Sequence, residues 1–397
     1  MRALAALVLF ALFAPARGAD LVVGMSAAIS GPSRALGIEL YRGASACFAA
    51  VNDAGGVAGQ HLRIDIRDDG YSPLPAAENT IRLIDQDVFA LFGYVGTPTV
   101  TRVLPLLEQH RDSSPLLFFP FTGAPVTRQP PYGSYVFNLR ASYREETAGL
   151  VEHFLAVDRR RIAVFYQVDS YGRAGWDGVR LALARHGLEM AAEATYRRGT
   201  GWTASMAEQV QVLRAGNADA VVSIGSYAAC AALIRDARDA GWNVPIANVS
   251  FAGSESLLEL LQAKPSYLQN LINSQVVPSC DADLPAVRDY REIMARRPPA
   301  APPGADLAGY HSPPVSRVSL EGYLDARLFV EVLRRSGPPF ARERLVPAAE
   351  AIRDYDLGIG VPVSFGPGKH QASGQVYYTE VQGGRFVSLA DWSRWRR

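Results

Sequence analysis

The chain has 397 residues, 48% of them hydrophobic, with 40 Lys and Arg against 39 Asp and Glu. That length and apolar share bury a large core, more than one compact domain usually spans, and the balanced charge argues against the basic excess of a nucleic-acid binder. The 35 glycines and 26 prolines suit a turn-rich globular protein rather than a disordered one.

The opening "MRALAALVLFALFAPARGAD" places Arg2 before an apolar run from Ala3 to Phe13 and then small residues. This is the pattern of an export signal, assigned to 1–19, and the apolar run is too short to span a bilayer. Cleavage is compatible with Ala16, Gly18 or Ala19, and no cysteine nearby supports a lipoprotein form. The mature chain is therefore expected in the periplasm. It carries Cys47, Cys230 and Cys280, an odd count that allows one disulfide and one thiol in an oxidising compartment. Whether Cys230 pairs with Cys280 stays open, and Cys47 lies on an apolar helical stripe as a small buried residue.

From Leu21 short apolar runs alternate with longer amphipathic ones. "LVVGM" reads as a strand, and Tyr41, Ala44, Phe48 and Val51 then share one helical face that Gly55-Gly56 ends. Strand "LRIDIRDD", helix "AAENTIRLIDQD", strand "VFALFGY", helix "VTRVLPLLEQH" and strands "PLLFFP" and "YVFNLR" follow. The pattern restarts after Arg140 with helix "YREETAGLVEHFLAV", whose acids sit in its first turn, and strand "RIAVFYQ". Helix "YGRAGWDGVRLALARHG", strand "LEMAAEATY", helix "SMAEQVQVLRAG", strand "ADAVVSIG", helix "AACAALIRDARDAG" and strand "VPIANV" complete a second unit. "NLINSQVVP" is a strand leaving it. Helices "AVRDYREIMARR" and "RVSLEGYLDARLFVEVLRRSG" flank a Pro/Ala-rich surface loop, Pro298 to Pro314, and the tail is strand and turn. Such β-α alternation implies α/β architecture with parallel sheets flanked by helices.

Two strand ends stand out, "GYVGTPT" and "FTGAP". In open parallel sheets ligands bind beyond the carboxyl ends of the strands, glycine lets the backbone approach them, and a helix start offers free amides to an anion. Thr97 and Thr122 add hydroxyls, so the two ends together make an uncharged seat for a carboxylate.

With these residues in view the sequence resembles the branched-chain amino-acid-binding protein family, the type I periplasmic solute-binding proteins of ABC importers. The resemblance runs from about Leu21 to Leu389 and rests on "SGPSRALG", "AAVNDAGGVAGQHLRIDIRDDGYSP", "LFGYVGTPT", "PFTGAP", "VFNLRASYREETAGLVEHF", "YGRAGW", "EGYLDARLFVEVLRRSG" and "FGPGKHQASG". It implies two Rossmann-like lobes joined by three hinge crossovers, with lobe 1 at 20–140 plus 278–355 and lobe 2 at 141–277 plus 356–397. It further implies a carboxylate held by the loops of Thr97 and of Thr122 and Gly123, tyrosines from lobe 2 at Tyr171 and Tyr227, and Leu36 packed on the ligand. A membrane permease is the implied partner, and the binder itself is expected to be a monomer, without catalysis or cofactor. A ligand sensor that signals through the same closure is the alternative.

Two departures bear on the ligand. Ser250, followed by Phe251, stands where amino-acid binders of the family place the glutamate that holds the ligand ammonium, and Glu255 or Glu321 are the acids that could substitute. Gly70 and Gly96 stand where the family has a lobe-1 disulfide, so that bridge is absent. A seat lined by Tyr94, Phe121, Tyr171, Tyr227 and Phe251 suits an apolar or aromatic acid, with a branched-chain amino acid also open.

Catalytic patterns are missing. "GMSAA" and "SIGSYAA" lack the second glycine of a nucleophile elbow, and no phosphate-binding glycine loop follows the first strand. His61, His110, His153, His186, His311 and His370 show no metal-ligand spacing and are expected mostly at the surface. Asp68-Asp69 is expected in a turn, and Arg159 to Arg161 in a solvated one.

Overall fold

A computed structural model describes residues 20–110 and 116–397. The export signal assigned to 1–19 lies outside the described residues, as does Pro115 at the head of "PLLFFP".

Each short apolar strand is followed by a helix or an extended connection that carries the chain back to the same edge, so successive strands pair in parallel. β1 (Leu21–Ala27), α1 (Arg34–Asp53), β2 (Leu62–Asp68), α2 (Pro73–Asp85), β3 (Ala90–Phe92), α3 (Thr97–Gln109), β4 (Leu117–Phe118) and β5 (Val136–Phe137) come first. Their sheet has the order β2-β1-β3-β4-β5 and is parallel throughout. α4 (Tyr143–Ala156) opens the second unit on a capping box between Ser142 and Glu145. β6 (Ile162–Gln167), α5 (Ser170–Ala184), β7 (Glu193–Tyr196), α6 (Ala207–Ala215), β8 (Ala220–Ile224), α7 (Tyr227–Asp239), β9 (Ile246–Asn248), α8 (Ser254–Leu261) and β10 (Leu271–Gln275) follow. The chain then returns to the first core with α9 (Pro285–Arg296), α10 (Arg317–Ser336), α11 (Leu345–Glu350) and the ribbon β11 (Tyr355–Asp356) and β12 (Pro362–Val363). It ends on β13 (Tyr377–Gln382) and β14 (Arg385–Ser388) at the edge of the second sheet, whose order is β14-β13-β10-β9-β8-β6-β7.

That second sheet is mixed, not parallel as expected, because β13 runs antiparallel to β10 and β14 to β13. A two-residue turn at Gly383-Gly384 joins β13 to β14, and a connection that short permits only a hairpin. α1 and α10 cross at backbone contact: a Cβ on Gly43 would stand 1.7 Å from the Ser319 carbonyl oxygen, and one on Gly322 2.1 Å from that of Leu40. Pro105 sits inside α3 without ending it.

Other expectations are changed or narrowed. Leu357, Ile359, Val363 and Phe365 pack in the first core, and Phe365 stacks 6.3 Å from Phe119, so the stretch assigned to lobe 2 from 356 stays with the first sheet until about Ala372. The Pro298 to Pro314 segment is more than a surface loop. It buries Tyr310, whose hydroxyl donates to Glu39 at 2.9 Å, and its Pro299 carbonyl accepts from Arg42. All three cysteines are free and buried. His370 is buried as well, stacked 4.0 Å from Phe137, and Arg159 donates to the Trp395 carbonyl instead of only facing solvent. The Asp68-Asp69 turn is as expected: Asp68 accepts from the Ile29 and Gly70 amides and Asp69 from the Tyr71 amide.

Candidate functional site

The two strand ends meet. Val95 pairs with Phe121 beyond β3 and β4, and the hydroxyls of Thr97 and Thr122 lie 2.6 Å apart. Thr97 starts α3 behind Gly96, which supplies no side-chain cap, and Pro98 has no N–H, so the first turn leaves the Thr97 and Thr99 amides without an intrahelical partner. Tyr143, at the start of α4, donates its amide to the Gly123 carbonyl at 2.8 Å and presses its ring on Gly123 so closely that a Cβ there would stand 2.6 Å from the ring. Its own hydroxyl lies beside both threonines, is buried and has no well-directed hydrogen bond, while burial pushes its pKa up. The three hydroxyls thus share one buried setting. The result is an uncharged set of donors at the ends of β3 and β4.

An aromatic cluster covers this set. The Phe251 ring lies 4.5 Å from Tyr171, 5.4 Å from Phe121 and 5.8 Å from Tyr71, and Tyr143 lies 5.2 Å from Tyr171. Contacts run between the two units here. The Ala35 amide donates to the Tyr227 hydroxyl at 3.4 Å, Gln167 Nε2 donates to the Tyr71 hydroxyl at 3.3 Å, and Leu36 packs against Gly253.

Of the residues expected at the site, Leu36, Thr97, Phe121, Thr122, Gly123, Tyr171, Tyr227, Ser250 and Phe251 come together around this space. Tyr94 does not. Its ring lies in the cluster of Leu91, Val100 and Val103, and its hydroxyl bonds Thr80 Oγ1 at 3.0 Å. The positive φ of Gly93 breaks the alternation of the strand and turns Tyr94 to the helix side. Tyr71, in "DDGYSP", was not among the expected residues. Its φ of 60° places a bulky residue in the left-handed region, and its ring lies 2.1 Å from where a Cβ on Gly96 would be. The ring thus covers Gly96, one of the two positions where the disulfide is missing.

Of the charges around Ser250, only Glu321 was among the expected ones. Arg140, fully buried in the crossover from β5 to α4, donates from Nη2 to Ser250 Oγ and lies 4.4 Å over the Phe121 ring. It is 3.4 Å from Glu321 and 3.8 Å from Glu146. Glu146 accepts from the Ser250 amide at 2.8 Å, from Ser250 Oγ at 3.0 Å and from Ser274 Oγ at 2.6 Å. Burial works against the Arg140 charge, but Glu321, Tyr143, Glu146 and Asp325 outweigh it and hold the guanidinium pKa above its usual value. Neither acid named as a substitute for the missing glutamate is free: Glu321 faces Arg140, and Glu255 pairs with Arg317 at 2.9 Å.

This cluster carries a pH dependence. Burial pushes the Glu321 carboxyl up to about 7 against the pull of Arg140, with Glu146 adding to the rise and Arg128 opposing it, and Asp325 is raised by burial and by Glu321. An acid that binds its proton more tightly when folded stabilises the fold at low pH, and that contribution disappears as pH rises through the folded value. Denaturant midpoints are therefore expected to fall between about pH 4.5 and 7. Glu321→Gln should flatten the fall in part, since Asp69, also pushed up to about 7 by burial, keeps the same sign. An unchanged slope in the variant removes Glu321 from this account.

Among the described residues no group of His, Cys, Asp and Glu could hold a metal ion, and no helix is long and apolar enough to cross a membrane.

A family model described as periplasmic binding protein matches residues 20–385. In structure the chain is similar to a possible leucine/isoleucine/valine-binding protein from Rhodopirellula baltica SH 1, with 34% identity and a TM-score of 0.83 over 95% of this chain and 98% of that one. In sequence it is similar to an amino acid binding protein of Pseudomonas aeruginosa, 26% identical over 56% of this chain and 58% of the relative. It is also similar to Leu/Ile/Val-binding protein homolog 3 of Brucella melitensis biotype 1, 24% identical over 58% of this chain and 61% of the relative. The chain thus spans about three-fifths of the length of these two curated relatives.

Proposed function

The chain belongs to the periplasmic binding protein family, of the Leu/Ile/Val-binding type, and from that premise we propose that it captures a small carboxylic acid lacking an α-ammonium group and delivers it to the permease of an ABC importer. The acid sits on the hydroxyls of Thr97, Thr122 and Tyr143 and the first-turn amides of α3, with Phe121, Tyr171, Phe251 and Leu36 around its apolar part. Two lobes enclose it, 20–140 plus 278–355 and 141–277 plus the C-terminal segment. The packing of Leu357 to Phe365 in the first core supports a final crossover near Ser373 rather than at 356. Closure brings Tyr171 and Tyr227 over the ligand, and the closed face is what a permease reads. The protein is an exported monomer in this reading and transforms nothing.

One observation carries the choice of ligand. Where an ammonium-holding carboxylate is expected, Ser250 already receives a cation, the Arg140 guanidinium. Glu146, the acid that does stand at Ser250, is already taken by Arg140 and by the Ser250 and Ser274 hydroxyls, so a ligand ammonium brought there would find no free carboxylate in a buried setting, which is costly. Calorimetric titration with pairs that differ only at the α-carbon tests this: 4-methyl-2-oxopentanoate against leucine, and phenylpyruvate against phenylalanine. The oxo acid is expected to bind at least about tenfold tighter, a difference of about 1.4 kcal/mol. Equal or tighter binding of the amino acids overturns the reading.

A further inference from the structure

Beside the Thr97–Thr122 pair lies a pocket of about 590 Å³, open to solvent, with Thr97, Thr101 and Pro125 on one wall and Ser170, Arg173 and Trp176 of α5 on the other. That volume is within the range of small-ligand sites. We propose that this pocket is a second subsite for an acid group at the far end of the ligand, so that the preferred ligand is an α,ω-dicarboxylate. The inference rests on the carboxylate seat proposed above.

Three features point to an anion. First, the Arg173 guanidinium lies 4.0 Å over the Trp176 ring and has no ion pair with an acid among the described residues. One of its contacts is a hydrogen bond to the Tyr166 hydroxyl, and a guanidinium stacked by its face has five in-plane N–H donors in all, enough to leave some for a carboxylate edge. Second, the local acids are occupied. Asp177 accepts from Arg180 at 2.7 Å and from Arg144 at 3.2 Å, and Glu193 accepts from the Trp176 indole at 2.7 Å and from Tyr166 at 3.3 Å. Third, Thr101 Oγ1 is buried in the opposite wall without a partner.

The geometry also explains why a second group would matter. Thr97 belongs both to the seat and to this pocket, so the two lie side by side. The walls come from both units, α3 with the turn Pro125–Thr127 on one side and α5 on the other. An acid spanning them would contact α5 only in the closed form, and only such differential contact shifts an equilibrium toward closure.

The full chain would be titrated by calorimetry with monoacid and diacid pairs of equal length: valerate and glutarate, hexanoate and adipate, octanoate and suberate. In at least one pair the diacid should bind about tenfold tighter, the scale of one charge-assisted contact. Arg173→Gln should erase that advantage and leave the monoacid unchanged, whereas Thr97→Val should weaken both. If every pair binds alike, or the advantage survives Arg173→Gln, while Thr97→Val still weakens binding, the subsite fails and the seat stands. If Thr97→Val has no effect, or no acid binds, the seat fails and the subsite with it.

Discussion

Arg140→Ala is expected to cost about 3–5 kcal/mol of stability, the usual result of removing one partner from a buried ion pair. The residue is fully buried and neutralises acids from two directions, Glu146 on α4 and Glu321 on α10. Without it those carboxylates, with Asp325 behind them, stay in a low-dielectric interior with no cation at contact. They can escape the penalty only by taking up protons, and burial already raises both Glu321 and Asp325. The loss should therefore be smaller near pH 5 than near pH 8, where protons are scarce. Urea unfolding of wild type and variant at both pH values measures this. A loss under about 1 kcal/mol, the scale of an exposed pair, and equal at both pH values would show that Arg140 does not neutralise this cluster. The consequence reaches the ligand too, because Arg140 also holds Ser250, and the loop that carries Phe251 begins there.

Gly96→Ala is the second change expected to act strongly, and on both stability and binding. Gly96 has φ 102° and ψ 144°, a conformation that L-residues scarcely enter. The backbone cost alone is about 1–3 kcal/mol. The new methyl group would also stand 2.1 Å from the Tyr71 ring, which would have to leave Phe251 and Gln167. Tyr71 comes from the first unit and both of its partners from the second, so ligand affinity should fall along with the unfolding midpoint. A double-mutant cycle with Tyr71→Ala separates the two costs. If Gly96→Ala is as damaging without the tyrosine as with it, the ring plays no part and only the backbone strain remains.

Much of the site could be read from the chain because its parts lie at strand ends. Thr97 and Thr122 each follow an apolar strand and a glycine or proline, and neighbouring parallel strands bring such ends together. The acidic and basic members could not be read in that way. Arg140 and Glu146 lie in one segment and Glu321 and Asp325 in another far along the chain, and nothing local shows that the two segments meet. Tyr94 was misplaced because the turn at Gly93 reverses the strand's alternation, which local pattern does not reveal. The mixed second sheet depends likewise on where the last strands find a partner.

By itself the sequence determined the repeated β-α alternation, the family resemblance and the two threonine-bearing strand ends, because periodicity and strand-end chemistry are local properties. The tertiary structure alone decided that a buried arginine stands at Ser250, that Tyr71 covers Gly96 and that Arg173 faces a pocket next to Thr97. Those facts depend on which side chains meet across long separations, and the interior's low dielectric makes such meetings count most where charges are involved.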